Sequence, residues 1–249
     1  MPNENRTMVV AGSSGVVGRH LISRAKETGW TVRVLSRSNE EETLWNPEKI
    51  IEGDHEELEN VRDALEGSDL LVNLAGASLA DGKLGIDHSK KVLNSRIHST
   101  RALTMAYRDC KNPPPCWIQA SAIGFYGEAG EADITEESPQ GDLFLSQVCQ
   151  AWEETAREIK EMHAHPPRLI FLRLGLVFAA DAPAWKKMIV PIRMGLGGAL
   201  GEGTQWYAWI EASDMAKAIF FLHDNPESER SRVIPQPLPP RSADFHFTS

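Results

Sequence analysis

Near the start of the chain, Gly12, Gly15 and Gly18 stand three residues apart between the short apolar run Thr7 to Ala11 and the apolar positions of residues 16–28. The first run is a buried-strand pattern, and the second carries helix-like apolar spacing at Val16, Val17, Leu21, Ile22 and Ala25. Between a strand and a helix, the first glycine permits a tight turn. The second lets the backbone approach a pyrophosphate, and the third lets the helix lie close on the strand. The helix N-terminus adds unpaired N–H groups and a partial positive charge. The spacing is Gly-x-x-Gly-x-x-Gly rather than the commoner Gly-x-Gly-x-x-Gly, and a plain turn is the simpler alternative. The strand–turn–helix context favours a dinucleotide site.

The remainder of the chain alternates strands with helices. Strands are expected at 31–35, 69–74, 116–120 and 168–174, and helices at 16–28, 56–65, 87–109 and 146–162. Such alternation gives a parallel sheet covered on both faces. With 249 residues and a hydrophobic fraction of 41%, one full core is within reach. A net charge of −9 argues against a nucleic-acid or anionic-membrane partner and leaves a small-molecule partner. Three cysteines make no disulfide framework, and no apolar run approaches a membrane span. The N-terminal residues lack a secretory h-region, so the expectation is a cytoplasmic protein. His163 and His165 have no neighbours that would complete a metal site.

The end of the second strand decides which dinucleotide fits. An acid there would accept the ribose hydroxyls and repel a 2′-phosphate. The chain has Ser36-Arg37-Ser38 instead, a hydroxyl and a guanidinium suited to gripping that phosphate, which points to NADP(H).

Several motifs, in order, resemble the extended short-chain dehydrogenases/reductases: Gly12 to Gly18, "NLAG" (73–76), "SAIGFYG" (121–127) and "RLGLVF" (173–178). "TEESPQGDLFLSQVCQAWE" (135–153) and "GLGGALGEGTQWYAWI" (195–210) narrow the resemblance to the atypical, NADP-binding, epimerase-like branch. The resemblance covers about residues 7–224. It implies an α/β fold, a Rossmann-type doubly wound parallel sheet with a small C-terminal substrate-side lobe. The NADP-binding core would occupy 1–178, the lobe segment and a returning helix 179–224, and a proline-rich tail 225–249.

Carried over by position, the resemblance assigns Ser36 and Arg37 to the 2′-phosphate. Leu74, Ala75 and Gly76 run along the adenosine and ribose side. Arg96 and Lys91 lie on the helix flanking the cofactor, and Val177 lies at the nicotinamide end or in the core. Active relatives carry Tyr-x-x-x-Lys on the helix after the serine-bearing strand, where the lysine lowers the phenol's pKa. Here the pair falls on Leu145 and Cys149, which can do neither task. Ser121 (with Ala122 competing for its register) and Tyr126 are the remaining catalytic candidates. The implied function is that of an epimerase-like oxidoreductase of undefined substrate, or of a non-catalytic NADP(H)-binding sensor or scaffold. Trp206, Tyr207 and Trp209 either line a substrate pocket or fill the lobe. Ser213 or Asp214 is the expected cap of the last helix. The tail from Asn225 reads either as a lobe with an internal piece skipped or as an unrelated proline-rich segment.

Overall fold

The structure is a computed structural model that describes residues 6–36, 43–44, 46–79, 85–195, 197–198 and 206–228. Six parallel strands form the central sheet: β1 (Thr7–Ala11), β2 (Thr31–Ser36), β3 (Thr43–Leu44), β4 (Leu70–Asn73), β5 (Cys116–Ala122) and β6 (Arg168–Leu174). Their spatial order is β3-β2-β1-β4-β5-β6, so the chain reverses direction across the sheet between β1 and β4. That reversal opens a crevice at the carboxyl ends of these two strands, where doubly wound sheets bind ligands.

Both sheet faces are covered, which explains why the strands read as continuous apolar runs. Met8 and Val10 of β1, Leu70 and Val72 of β4, Ile118 of β5 and Ile170 and Leu172 of β6 point to one side. There they meet Leu21 and Ala25 of α1 (Val16–Glu27) and Met215, Ile219 and Leu222 of α8 (Ala212–Asp224). Val9, Ala11, Leu71, Trp117 and Phe171 point the other way. They pack on α3 (His55–Leu65), α4 (Ile86–Arg108), α5 (Phe144–Arg157) and α6 (Ile159–Met162). The alternation follows from the two-residue period of a strand.

Besides the two-residue edge strand β3, which lies beyond the strands expected, four features depart from the sequence expectation. The helix expected over 146–162 is two segments, α5 and α6, meeting at Glu158. A five-residue helix, α2 (Pro47–Ile51), precedes α3 and is capped by the Asn46 side chain. After β6, β7 (Leu176–Phe178) pairs in parallel with β8 (Trp209–Glu211) as a separate two-stranded sheet. Between them runs α7 (Pro183–Arg193), which begins at a proline and contains Pro191. The tail after Ser228, expected either as a lobe with an internal piece skipped or as an unrelated proline-rich segment, lies outside the described residues. Among the described residues, no helix is long and apolar enough to cross a membrane.

Candidate functional site

The glycine turn sits at the crevice between β1 and β4. Gly12 has φ +88°, a conformation that disfavours any side chain. A Cβ there would lie 2.6 Å from the Leu74 carbonyl carbon and 2.7 Å from the Ala75 nitrogen. A Cβ on Gly18 would lie 2.6 Å from the Gly12 carbonyl oxygen, so the third glycine sets the distance between α1 and the turn. Gly15 differs from both. Its Cβ would meet only the Gly12 oxygen, at 3.5 Å, an ordinary contact.

Gly15 is the N-cap of α1, with no side-chain cap and no acid in the first turn. The N–H groups of that turn therefore keep their partial positive charge for an outside acceptor. A side-chain-free cradle with an uncapped helix end fits the pyrophosphate of a dinucleotide. Gly12, Gly15 and Gly18 are thus brought together as expected.

The "NLAG" loop is held in place from below. Asn73 is fully buried, donating through Nδ2 to Gln119 Oε1 (2.9 Å) and Thr100 Oγ1 (3.1 Å). Its Oδ1 accepts the Ala75 N–H, fixing the first residues beyond β4. Leu74 packs toward the α1/α8 side and Ala75 toward the α3/α4 side, so both serve the core as well as the crevice.

Arg96 closes over the exposed Gly76. A Cβ on Gly76 would be 3.1 Å from both Cγ and Cζ of Arg96. The guanidinium donates through Nη1 to the carbonyls of Ala77 and Val92 and lies 4.9 Å above the Trp152 ring. Lys91 is exposed on the same helix. Five residues turn it about 140° from Arg96, so the two do not share a face. Ser36 ends β2, partly buried and with partners of its own, while Arg37 lies outside the described residues. Val177 and Val16, the first residue of α1, pack on the same small cluster of Ala179, Ala182 and Ala212. This places the β7 strand beside the start of α1.

The two catalytic candidates belong to a buried ionic cluster that the sequence reading missed. Arg173, on β6, is 0% exposed and forms a two-pronged bridge to Glu153 on α5, also 0% exposed. Nε–Oε1 is 2.8 Å and Nη2–Oε2 is 2.9 Å. Ser121, beside Arg173 in the sheet register, donates its hydroxyl to the same Glu153 Oε1 at 2.8 Å. The Tyr126 hydroxyl accepts from Arg173 Nη1 at 2.7 Å, and the guanidinium stacks 3.4 Å from the Phe125 ring centroid. Burial alone would raise the Glu153 carboxyl, but the hydrogen bonds and charge of Arg173 hold it below its ordinary range. For Arg173 burial works downward and the bonds to Glu153 and Tyr126 prevail, raising it. A signal existed: an arginine inside "RLIFLRL", a strand buried on both faces, requires a buried carboxylate.

The positions assigned to the tyrosine and lysine are neighbours on α5. A Cβ on Gly124 would meet Leu145 Cβ at 3.4 Å and Cys149 Sγ at 4.0 Å. Leu145 is half-exposed, Cys149 is buried, and burial pushes its thiol up. It stays neutral and cannot act as the missing ammonium.

At the other edge, the cap of α8 is Glu211, not Ser213 or Asp214. Its carboxylate accepts the Ser213 N–H at 2.7 Å and the Asp214 N–H at 3.3 Å, and also bonds the Ser213 hydroxyl. Glu211→Ala is expected to lower stability by about 1 kcal/mol, read from urea unfolding. An unchanged midpoint would show that Ser213 takes over as the cap. Trp206, Tyr207 and Trp209 are all exposed; Trp209 meets the Phe178 ring at 5.7 Å, whereas part of the preceding glycine-rich run is outside the described residues.

Comparison with known proteins agrees with this architecture. Residues 8–234 match the NAD dependent epimerase/dehydratase family. An epimerase family protein of Staphylococcus epidermidis is 31% identical over 96% of this chain and 78% of its own length. The chloroplastic SDR39U1 homolog of Arabidopsis thaliana is 30% identical over 88% of this chain, which spans only 63% of that relative. The human epimerase family protein SDR39U1, crystallised with NADPH, superposes with a TM-score of 0.76 at 26% identity, covering 91% of this chain and 72% of its own. The chain belongs to the NAD dependent epimerase/dehydratase family, as an atypical short-chain dehydrogenase/reductase of the SDR39U1-like branch.

Proposed function

We propose that the chain is an NADP(H)-binding, epimerase-like oxidoreductase that presents the nicotinamide to a small molecule. The observation that carries this reading is the cradle: Gly12 and Gly18 leave no room for a Cβ, while Gly15 leaves α1 uncapped. The pyrophosphate would rest on the first-turn N–H groups of α1. Leu74, Ala75 and Gly76 would flank the ribose side, and Ser36 with Arg37 would take the 2′-phosphate. NADPH in the SDR39U1 crystal supports the choice of nucleotide. When bound, the cofactor supplies or accepts a hydride. Three buried thiols and an acidic surface suit a reducing compartment such as the cytoplasm.

A second reading is favoured by the Ser121 geometry. Its hydroxyl is bonded to Glu153, and Leu145 with Cys149 brings no proton-transfer pair. The chain would then bind NADP(H) without turning over alcohols, signalling cofactor occupancy to a partner.

The test is nucleotide discrimination. A charged hydrogen bond is worth roughly 1.5–3 kcal/mol, so Arg37→Ala should weaken NADPH about ten- to a hundredfold and leave NADH nearly unchanged. Titration calorimetry with both nucleotides reads this directly. Equal affinity of the parent protein for NADPH and NADH would refute the NADP assignment.

A further inference from the structure

Arg96 is a cation with no carboxylate partner among the described residues. Its hydrogen bonds are to two backbone carbonyls, and its face is covered by Trp152. Both bonds come from Nη1, which has two hydrogens. The remaining donors, Nε–H and Nη2–H₂, form the parallel edge that matches the two oxygens of a carboxylate. Three contacts fix the guanidinium before any ligand arrives: the Ala77 carbonyl, the Val92 carbonyl and the Trp152 ring. The absence of a side chain at Gly76 makes the room. Burial lowers the pKa of Arg96, a sign that its charge is partly desolvated and uncompensated.

An open groove with mostly apolar walls lies along the same helix. It measures about 500 Å³ and is lined by Gly85, Ile86, Ser89, Lys90 and Leu93 of the α4 start and by Phe144 of α5. Ser89, Leu93 and Arg96 follow at spacings of four and three, which is one helix face. Arg96 therefore follows the groove wall at Leu93 along that face, and its Nη1 bonds the Val92 carbonyl of the preceding turn. Leu145, at the position the resemblance assigns to the tyrosine, adjoins Phe144 and adds another exposed apolar surface.

We propose that the groove between α4 and α5 binds a small carboxylic acid, its apolar body against Leu93 and Phe144 and its carboxylate on the Nε/Nη2 edge of Arg96. This rests on the cofactor reading above, because the acid would then lie alongside the bound nucleotide. It names the substrate or effector class of that site. The apolar walls at Leu93 and Phe144 suit the hydrocarbon body of such an acid.

The test is calorimetry on the full chain with benzoate and hexanoate against benzamide and hexanamide, with and without saturating NADPH. The parent protein is expected to prefer each acid over its amide by at least tenfold. Arg96→Gln should remove that preference and Arg96→Lys, which keeps the charge but not the fork, should retain only part of it. A purely structural brace would weaken acid and amide alike and leave their ratio unchanged. Equal binding of acid and amide by the parent protein, or no acid binding at millimolar concentration, overturns the proposal. So does competition between benzoate and NADPH, which would put the anion in the cofactor's own phosphate site. Absence of NADPH binding would contradict the cofactor reading instead, and the nucleotide-free titration still decides the acid.

Discussion

Arg173→Met is expected to destabilise the protein by about 3–5 kcal/mol at neutral pH, the usual effect of removing one partner from a buried ion pair. Glu153 would keep its charge at 0% exposure with only the Ser121 hydroxyl and the partly exposed Arg157 to offset it. The Tyr126 hydroxyl would lose the Arg173 donor at the same time. The pH dependence separates this cause from simple loss of volume. In the parent protein the Glu153 carboxyl is held below its ordinary value of 4.5. The stability it contributes is present above that value and is lost as pH falls through the lower, folded one. In the variant the sign reverses. Without Arg173, burial dominates and the folded carboxyl rises, so a proton stabilises the folded state. The gap between variant and parent should therefore be widest at pH 7 and narrow toward pH 4, in urea midpoints measured at both. A loss below about 1 kcal/mol, or a gap that does not change with pH, would show that the cluster is not paired as described.

Gly12→Ala should lower stability by about 2–5 kcal/mol, combining a strained positive φ with a backbone clash. The clashing atoms are the Leu74 carbonyl carbon and the Ala75 nitrogen, neither of which can rotate away. At about 2–4 °C per kcal/mol for a chain of this size, the melting temperature falls by several degrees or more. Gly15→Ala is the contrasting case, because its Cβ makes only an ordinary contact. Its melting temperature should stay within about 2 °C of the parent. Equal losses at the two positions would mean that the turn is not shaped by close approach to β4.

The sheet was legible because burial on both faces turns each strand into a short apolar run bounded by polar or glycine residues, as at Met8 to Ala11 and Leu70 to Val72. The glycine turn was legible because Gly12 and Gly18 answer steric demands that no other residue meets. The α5/α6 break was not, since Glu158 keeps helical dihedrals and leaves the apolar period almost intact. Short elements escaped for want of length: α2 has five residues, and β7 and β8 have three each. The cap at Glu211 was hidden because Ser213 and Asp214 are commoner cap residues. Glu153 and Arg173 lie 20 residues apart on different elements, so only their meeting in space reveals that Ser121 and Tyr126 are held by them.

On the function proposed above, the uncapped, side-chain-free end of α1 holds the phosphates of NADP(H). The most direct measurement is the melting temperature of the parent protein and of Gly15→Val, each with and without NADPH. A ligand at a hundred times its dissociation constant adds about 2.7 kcal/mol. For a chain of this size that is a rise of about 5–10 °C. That rise is expected for the parent and almost none for Gly15→Val, each shift being read against the same protein without nucleotide. No shift in the parent, or an equal shift in both proteins, would contradict this binding mode.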